Sequence, residues 1–353
     1  MLDQTAKVAK PARDIAAQIG ALTPGLAMAG AVAIAASRMT AWETAFAQAW
    51  FGRPIAIAAP VIALLLGVAF HAAVARPSVI PGLTFAIKRV LRWAIALFGL
   101  NIALSDIVGL GVGTAVLVIV AMAATLASGL LFARLFGKGD PYGALAGAAC
   151  AVCGASAALA TSTVLPAGEH RESDTAFVVI TTNLLATLAI LIYPPICAAL
   201  GFDDRTTGIF LGASIHDVAQ VVGAGYSVSS EAGNIALVVK LFRVLMLLPV
   251  VLGVGWFFSG RGGDAARAKV PVPVFALMFV VFVMINSAGI LPVFLKNLLI
   301  TASGWGLLLA LAALGLSTSI ASIVRVGPRH LGVVLCTTAV IFAVPLSWLA
   351  LSR

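Results

Sequence analysis

Eleven apolar segments follow one another along the chain, at 20–37, 54–75, 92–105, 108–134, 141–166, 174–200, 207–228, 232–259, 270–288, 297–317 and 331–350. Most approach the 20 or so residues that a helix needs to cross a hydrocarbon layer. Such a succession predicts an all-α polytopic membrane protein of about eleven transmembrane helices. The third segment is short, and its basic lead-in from Pro81 to Trp93, with Lys88, Arg89 and Arg92, reads as partly interfacial.

Composition supports that class. Of 353 residues 61% are hydrophobic and 10% charged, and mean hydropathy is +1.11. A water-soluble domain of this length does not look like this. The formal net charge of +9 invites a nucleic-acid reading, but positive-inside bias accounts for it. With the N-terminus inside, Lys7, Lys10, Arg13, Arg76, Lys88, Arg89, Arg92, Arg134, Lys138, Arg205, Arg261, Arg267, Lys269, Arg325 and Arg329 are cytoplasmic. Arg38, Arg53, Arg171, Lys296 and Arg353 lie outside, and Lys240 and Arg243 fall within a span. The expectation is therefore an N-terminus in and a C-terminus out. Residues 1–19 read as a cytoplasmic tail, and 20–353 as a single transmembrane transporter domain. A signal peptide ending at the AFAQA stretch (45–49) would put the cleavage site too far from the apolar run.

The chain carries a weak internal repeat. Gly99–Gly111 (GLNIALSDIVGLG) and Gly315–Gly327 (GLSTSIASIVRVG) match at five of thirteen positions at an offset of 216. Seven spans separate them, an odd step that inverts orientation, as in inverted-repeat transporters. The expected copies lie around 81–137 and 292–350.

Polar residues inside the spans mark the candidate site. The stretch LGASIHDVAQVVGAG at 211–225 places Ser214, Asp217 and Gln220 on one stripe if it is a single helix, beside His216. Cys150-Ala-Val-Cys153-Gly154-Ala-Ser156 lies in a run of small residues, and Gly154 offers a break that frees backbone N–H groups. The two cysteines have neither a thioredoxin-like setting nor a second pair, so packing or substrate contact suits them better than redox or zinc chemistry. Cys197 and Cys336 also lie in apolar runs, and no disulfide framework is implied. Thr181, Thr182 and Asn183 follow in the sixth segment, where bonds to their own helix are as natural as a ligand. Lys240 and Arg243, three apart, share a face deep in the eighth segment and need anions there. In one reading an Asp217–Arg243 pair locks two helices while Lys240 snorkels. In the other an anionic substrate supplies the missing charge, with His216 either protonated as a third cation or neutral and bonded to Gln220 or a neighbouring helix. Asn286-Ser287 reads as a cap.

In combination the CGASA stretch at 153–157, GASIHDVAQVVGAG at 212–225 and the Lys240–Pro249 run (KLFRVLMLLP) resemble the YeiH-type family, bacterial inner-membrane proteins with a sulfate-exporter label. The resemblance runs from about Pro54 to the C-terminus. It implies a multi-pass secondary transporter related in fold to cation/proton antiporters and bile-acid sodium symporters, with crossing broken helices. Relatives often carry Asn-Ser or Ser-Ile beside the Cys-Gly, where this chain has Ala151-Val152, so its substrate can differ.

The resulting expectation is alternating-access transport of a small anion such as sulfate or a sulfonate, proton- or ion-coupled. The substrate-binding candidates are Cys153, Gly154, Ser156, Asn183, Ser214, His216, Gln220, Lys240 and Arg243. His216 and Asp217 are the ion-coupling candidates. No metal, cofactor or nucleic acid is called for; the bilayer and a small anion are the expected partners, and a homodimer is left open. Enzyme signatures are missing: Asp203-Asp204 lack a second acidic pair, and no HExxH or GxSxG occurs. An anion channel and an ion/proton antiporter are the alternatives.

Overall fold

Lipid leaves backbone polar groups no water to bond, and this chain answers with helices. The computed structural model describes residues 4–51, 59–74, 76–166, 170–259, 274–317 and 328–352, and among them no strand occurs. In chain order the helices are α1 (Gln4–Phe51), α2 (Ala59–Val74), α3 (Ile80–Phe85), α4 (Leu91–Phe98), α5 (Leu104–Gly109), α6 (Gly111–Leu135), α7 (Asp140–Ala151) and α8 (Ala155–Ser162). They continue with α9 (Arg171–Ala199), α10 (Asp204–Ser214), α11 (Val218–Val228), α12 (Ser230–Leu245), α13 (Leu247–Phe258), α14 (Val274–Ser287), α15 (Val293–Ser317) and α16 (Pro328–Leu351).

Among the described residues six stretches are long and apolar enough to cross a membrane: Gly20–Glu43 within α1, Gly111–Leu135, Arg171–Ala199, Ser230–Phe258 across α12 and α13, Val293–Ser317 and Pro328–Leu351. Shorter apolar helices cover Ala59–His71, Val218–Val228 and Val274–Ser287. Large apolar side chains such as Phe70, Val112, Ile119, Leu131 and Trp256 are exposed, as a lipid-facing surface requires. Residues 4–19 are helical and run on into the first apolar segment within α1.

The chain forms two compact units. The first comprises Met1–Phe98 with Pro292–Ser319. It is assembled by paired glycines: a Cβ on Gly67 would lie 2.7 Å from the Ala312 carbonyl, and one on Gly315 would lie 2.3 Å from that of Leu64. These positions set α2 against α15 at backbone contact, the packing membrane helices use where burial of apolar surface gives little. Ser303 Oγ donates to the Ala94 carbonyl at 2.6 Å in the same unit. The basic lead-in is a turn of π-helix, Ala86–Val90, joining α3 to α4, and Lys88, Arg89, Arg92 and Trp93 are all exposed there.

The second unit comprises Gly99–Leu291 with Ile320–Arg353. Gly208 and Gly212 bring α10 onto α12, and Gly225 brings α11 onto the same helix, where an added Cβ would lie 2.8 Å from the Gly233 Cα. The glycines near 212 and 225 are therefore packing positions rather than breakpoints. Ser287 Oγ accepts from the Leu104 N–H at 2.8 Å and Asn286 Nδ2 donates to the Ile102 carbonyl, so this pair caps the start of α5. The first repeat copy, Gly99–Gly111, is a 3-10 turn followed by α5. Most of the second copy, 318–327, lies outside the described residues.

Candidate functional site

Two helices of the second unit are interrupted, and the site grows from those interruptions. The 141–166 segment stops at Ala151 and restarts at Ala155, with Gly154 between at φ +62°, ψ −112°. Only glycine takes that conformation without strain. The expectation of a break at Gly154 is met.

The 207–228 segment behaves differently from the single helix expected. It stops at Ser214 and restarts at Val218, with Ile215 (ψ 140°) and Asp217 (ψ 151°) extended. The expected stripe of Ser214, Asp217 and Gln220 on one helix does not exist. Ser214 Oγ instead donates to the Phe210 carbonyl of its own helix at 2.6 Å. Asp217 is the N-cap of α11, its carboxylate accepting from the Val218 N–H. That places a negative charge where the helix dipole favours one.

Lys240 and Arg243, both fully buried on α12, reach into the two breaks. Arg243 Nε donates to the Ala151 carbonyl (3.0 Å), Nη1 to Gly212 (3.0 Å) and Ile215 (2.8 Å), and Nη2 to Cys150 (3.0 Å) and Ala151 (2.9 Å). A guanidinium has five N–H donors, and all five are placed on main-chain oxygens. The expected Asp217–Arg243 ion pair is therefore not formed. Lys240 Nζ donates to the carbonyls of Val152 (2.7 Å), Ile215 (2.8 Å) and His216.

The backbone of α7 is fully accounted for by this arrangement. A helix leaves its last four carbonyls without intrahelical partners. Here Ala148 O accepts from Val152 N, Ala149 O from Gly154 N, and Cys150 O and Ala151 O from Arg243. Each helix C-terminus carries roughly half a negative charge. Two such ends converge on two buried cations, which removes much of the cost of holding unpaired charge in a dry interior.

Around this cradle lie partly unsatisfied polar side chains. His216 Nε2 is 2.9 Å from Thr338 Oγ1 on α16, and Cys150 Sγ is 3.7 Å from that same oxygen. His216 Nδ1 is buried with no hydrogen-bond partner. A Cβ built on Gly154 would meet Thr182 Oγ1 at 3.3 Å and His216 Cβ at 3.9 Å, so the two breaks are neighbours. Gln220 Nε2 donates to Asn183 Oδ1 at 3.2 Å, while its Oε1 is buried without a partner. Thr181 and Thr182 are buried, and Thr182 Oγ1 bonds its own helix at the Val178 carbonyl. Cys153 is buried at the first break, whereas Ser156 is exposed, away from the buried cluster.

Of the candidates, then, Cys153, Gly154, His216, Lys240 and Arg243 gather at the breaks, and Asn183 with Gln220 forms an adjoining pair. Thr338 and the break carbonyls were not singled out from the sequence. Thr338 is one of two consecutive threonines in an apolar run 122 residues from His216, and carbonyls leave no mark in a sequence.

Comparison with known proteins places this architecture. A family model described as "Conserved hypothetical protein 698" matches residues 24–334. A UPF0324 membrane protein of Rhizobium meliloti (strain 1021) is 39% identical over 340 residues, covering 96% of this chain and 95% of the relative. One from Chlorobaculum tepidum is 40% identical over 86% of this chain and 85% of its own length. The UPF0324 membrane protein TauZ of Paracoccus denitrificans is 39% identical over 89% of this chain and 93% of its own. No solved structure matches. With its three motifs embedded in matches of this extent, the chain belongs to the UPF0324 membrane-protein family, the YeiH-type family that those motifs resemble.

Proposed function

We propose that this protein is a secondary transporter of a small anion, working by alternating access, with the anion held at the paired breaks. The supporting observation is the pair of interrupted helices whose ends meet buried cations and unpaired polar groups. Backbone freed from a helix at membrane depth is tolerated where it is buried in protein or lines a cavity, and in transporters it commonly forms the binding site.

In this reading the anion sits at the start of α8. Lys240 and Arg243 have their donors on carbonyls, so they contribute field rather than direct hydrogen bonds. The N-terminus of α11 is already capped by Asp217, while that of α8 follows Gly154 and has no side-chain cap. An oxyanion at the start of α8 would meet main-chain N–H groups on the favourable end of the helix dipole. Thr182 and His216 are the side chains nearest to Gly154, and His216 Nδ1 is buried without a partner. The inverted-repeat arrangement and an eleven-span topology belong to this same reading.

His216 is the candidate proton carrier. The groups facing it are the Thr338 hydroxyl, the Cys150 thiol, Asp217 next in the chain, the Lys240 ammonium on its carbonyl and the Arg243 guanidinium on the carbonyl of Ile215. The deciding experiment is uptake into proteoliposomes of sulfate, sulfonates and carboxylates, with and without pH and sodium gradients. Saturable uptake of one class, with anion affinity that loses its pH dependence in His216→Gln, is the expected result. Non-saturating flux would make the protein a channel, and uptake of none of these anions would remove the anion reading.

A further inference from the structure

Lys240 does something that neither a substrate ligand nor a salt bridge does. Its Nζ sits among three main-chain oxygens drawn from both breaks: Val152 O from the first, Ile215 O and His216 O from the second. Ile215 O is shared with Arg243 Nη1. The ammonium is fully buried, and no carboxylate is bonded to it. Converging carbonyl oxygens in a dry interior are how proteins hold a dehydrated monovalent cation. An ammonium meets the same oxygens with three N–H donors, one for each.

We propose that the Val152, Ile215 and His216 carbonyls form a monovalent-cation site at the crossing of the breaks, permanently filled by the tethered ammonium of Lys240. Two consequences follow. The native protein needs no soluble cation at this point to hold its two breaks together. Removal of the tether without removal of the oxygens leaves a vacancy sized for a small monovalent cation, and the protein acquires a dependence that it does not natively have. Arg243 alone does not fill the gap, because all five of its donors are engaged elsewhere in the cradle.

The test is chemical rescue of Lys240→Ala, read as melting temperature in detergent with chloride salts of ammonium, methylammonium, potassium or sodium, and choline as an ionic-strength control. The expected result is a melting temperature below wild type that climbs with at least one small cation and levels off, as a bound ligand requires. Choline should give no such rise, and wild type should not respond. Should the variant aggregate on extraction, the same comparison is made there: monodisperse protein with methylammonium and none with choline supports the site. Aggregation in both, or a melting temperature indifferent to every small cation, overturns it. Lys240→Gln supplies a second arm, since its amide can bond carbonyls without charge; wild-type stability in that variant also overturns the proposal. The readout is stability rather than flux, so failure here leaves the transport reading standing, and the uptake panel can fail without touching this site.

Discussion

At the scale of single residues, charge at the breaks is met by backbone instead of by opposite charge. That changes what substitutions should do. Arg243→Gln removes most of the donors to four carbonyls and should cost upwards of about 3 kcal/mol, since each buried acceptor left without a donor costs about 1–3 kcal/mol. Arg243→Lys should fare little better, because a single ammonium cannot reproduce the fork. Asp217→Asn, by contrast, keeps a good cap on α11 and should shift stability by less than about 1 kcal/mol. Thermal or denaturant melts of the three variants separate this picture from an ion pair, in which Asp217→Asn would be as damaging as Arg243→Gln. Gly154→Ala, forced to φ +62°, should cost about 1–3 kcal/mol. A melt unchanged by that substitution would mean that the first break is not conformationally demanding.

At the scale of elements, the sequence shows one break and hides the other. Gly154 in a run of small residues is a visible weak point, and the helix does stop there. The second break falls on Ile215-His216-Asp217, where neither glycine nor proline announces it. The glycines that do flank it, Gly212 and Gly225, serve instead to press α10 and α11 onto α12. Helical periodicity read across 211–225 therefore yields a polar stripe that the folded chain does not contain. What ends α10 is tertiary: Arg243 and Lys240 donate to its carbonyl end, and Asp217 starts the next helix. Burial of Lys240 and Arg243 was legible because two cations within an apolar segment have nowhere else to be. Their partners were not, because every one is a main-chain oxygen. If the glycines are packing positions, Gly212→Val should separate α10 from α12 and lower the melting temperature, since even a Cβ would lie 2.5 Å from the Ala236 carbonyl. A melt equal to wild type would refute close packing there.

At the scale of the whole molecule, membrane residence was readable from composition, and the placement of Lys and Arg supports a proposed orientation. The proposed orientation puts Lys138 and Arg205 on the cytoplasmic face and Lys296 on the other. Single cysteines at these positions, in a Cys336→Ser background, should label with impermeant thiol reagents from the matching sides of oriented vesicles. Labelling of all three from one side would refute the topology.

The five bonds of Arg243 have a mechanical implication. One guanidinium on α12 rivets the end of α7 to the end of α10, each rivet being a charge-assisted bond worth about 1.5–3 kcal/mol. Unfastening several of them in every turnover would raise a barrier that a working cycle could not cross at useful speed. Within the proposed transport cycle, the interrupted segments are thus poor candidates for gates and good ones for a stiff frame. Spin labels on α7 and α12 should keep one separation with and without a saturating anion, and a separation that changes would refute the stiff frame.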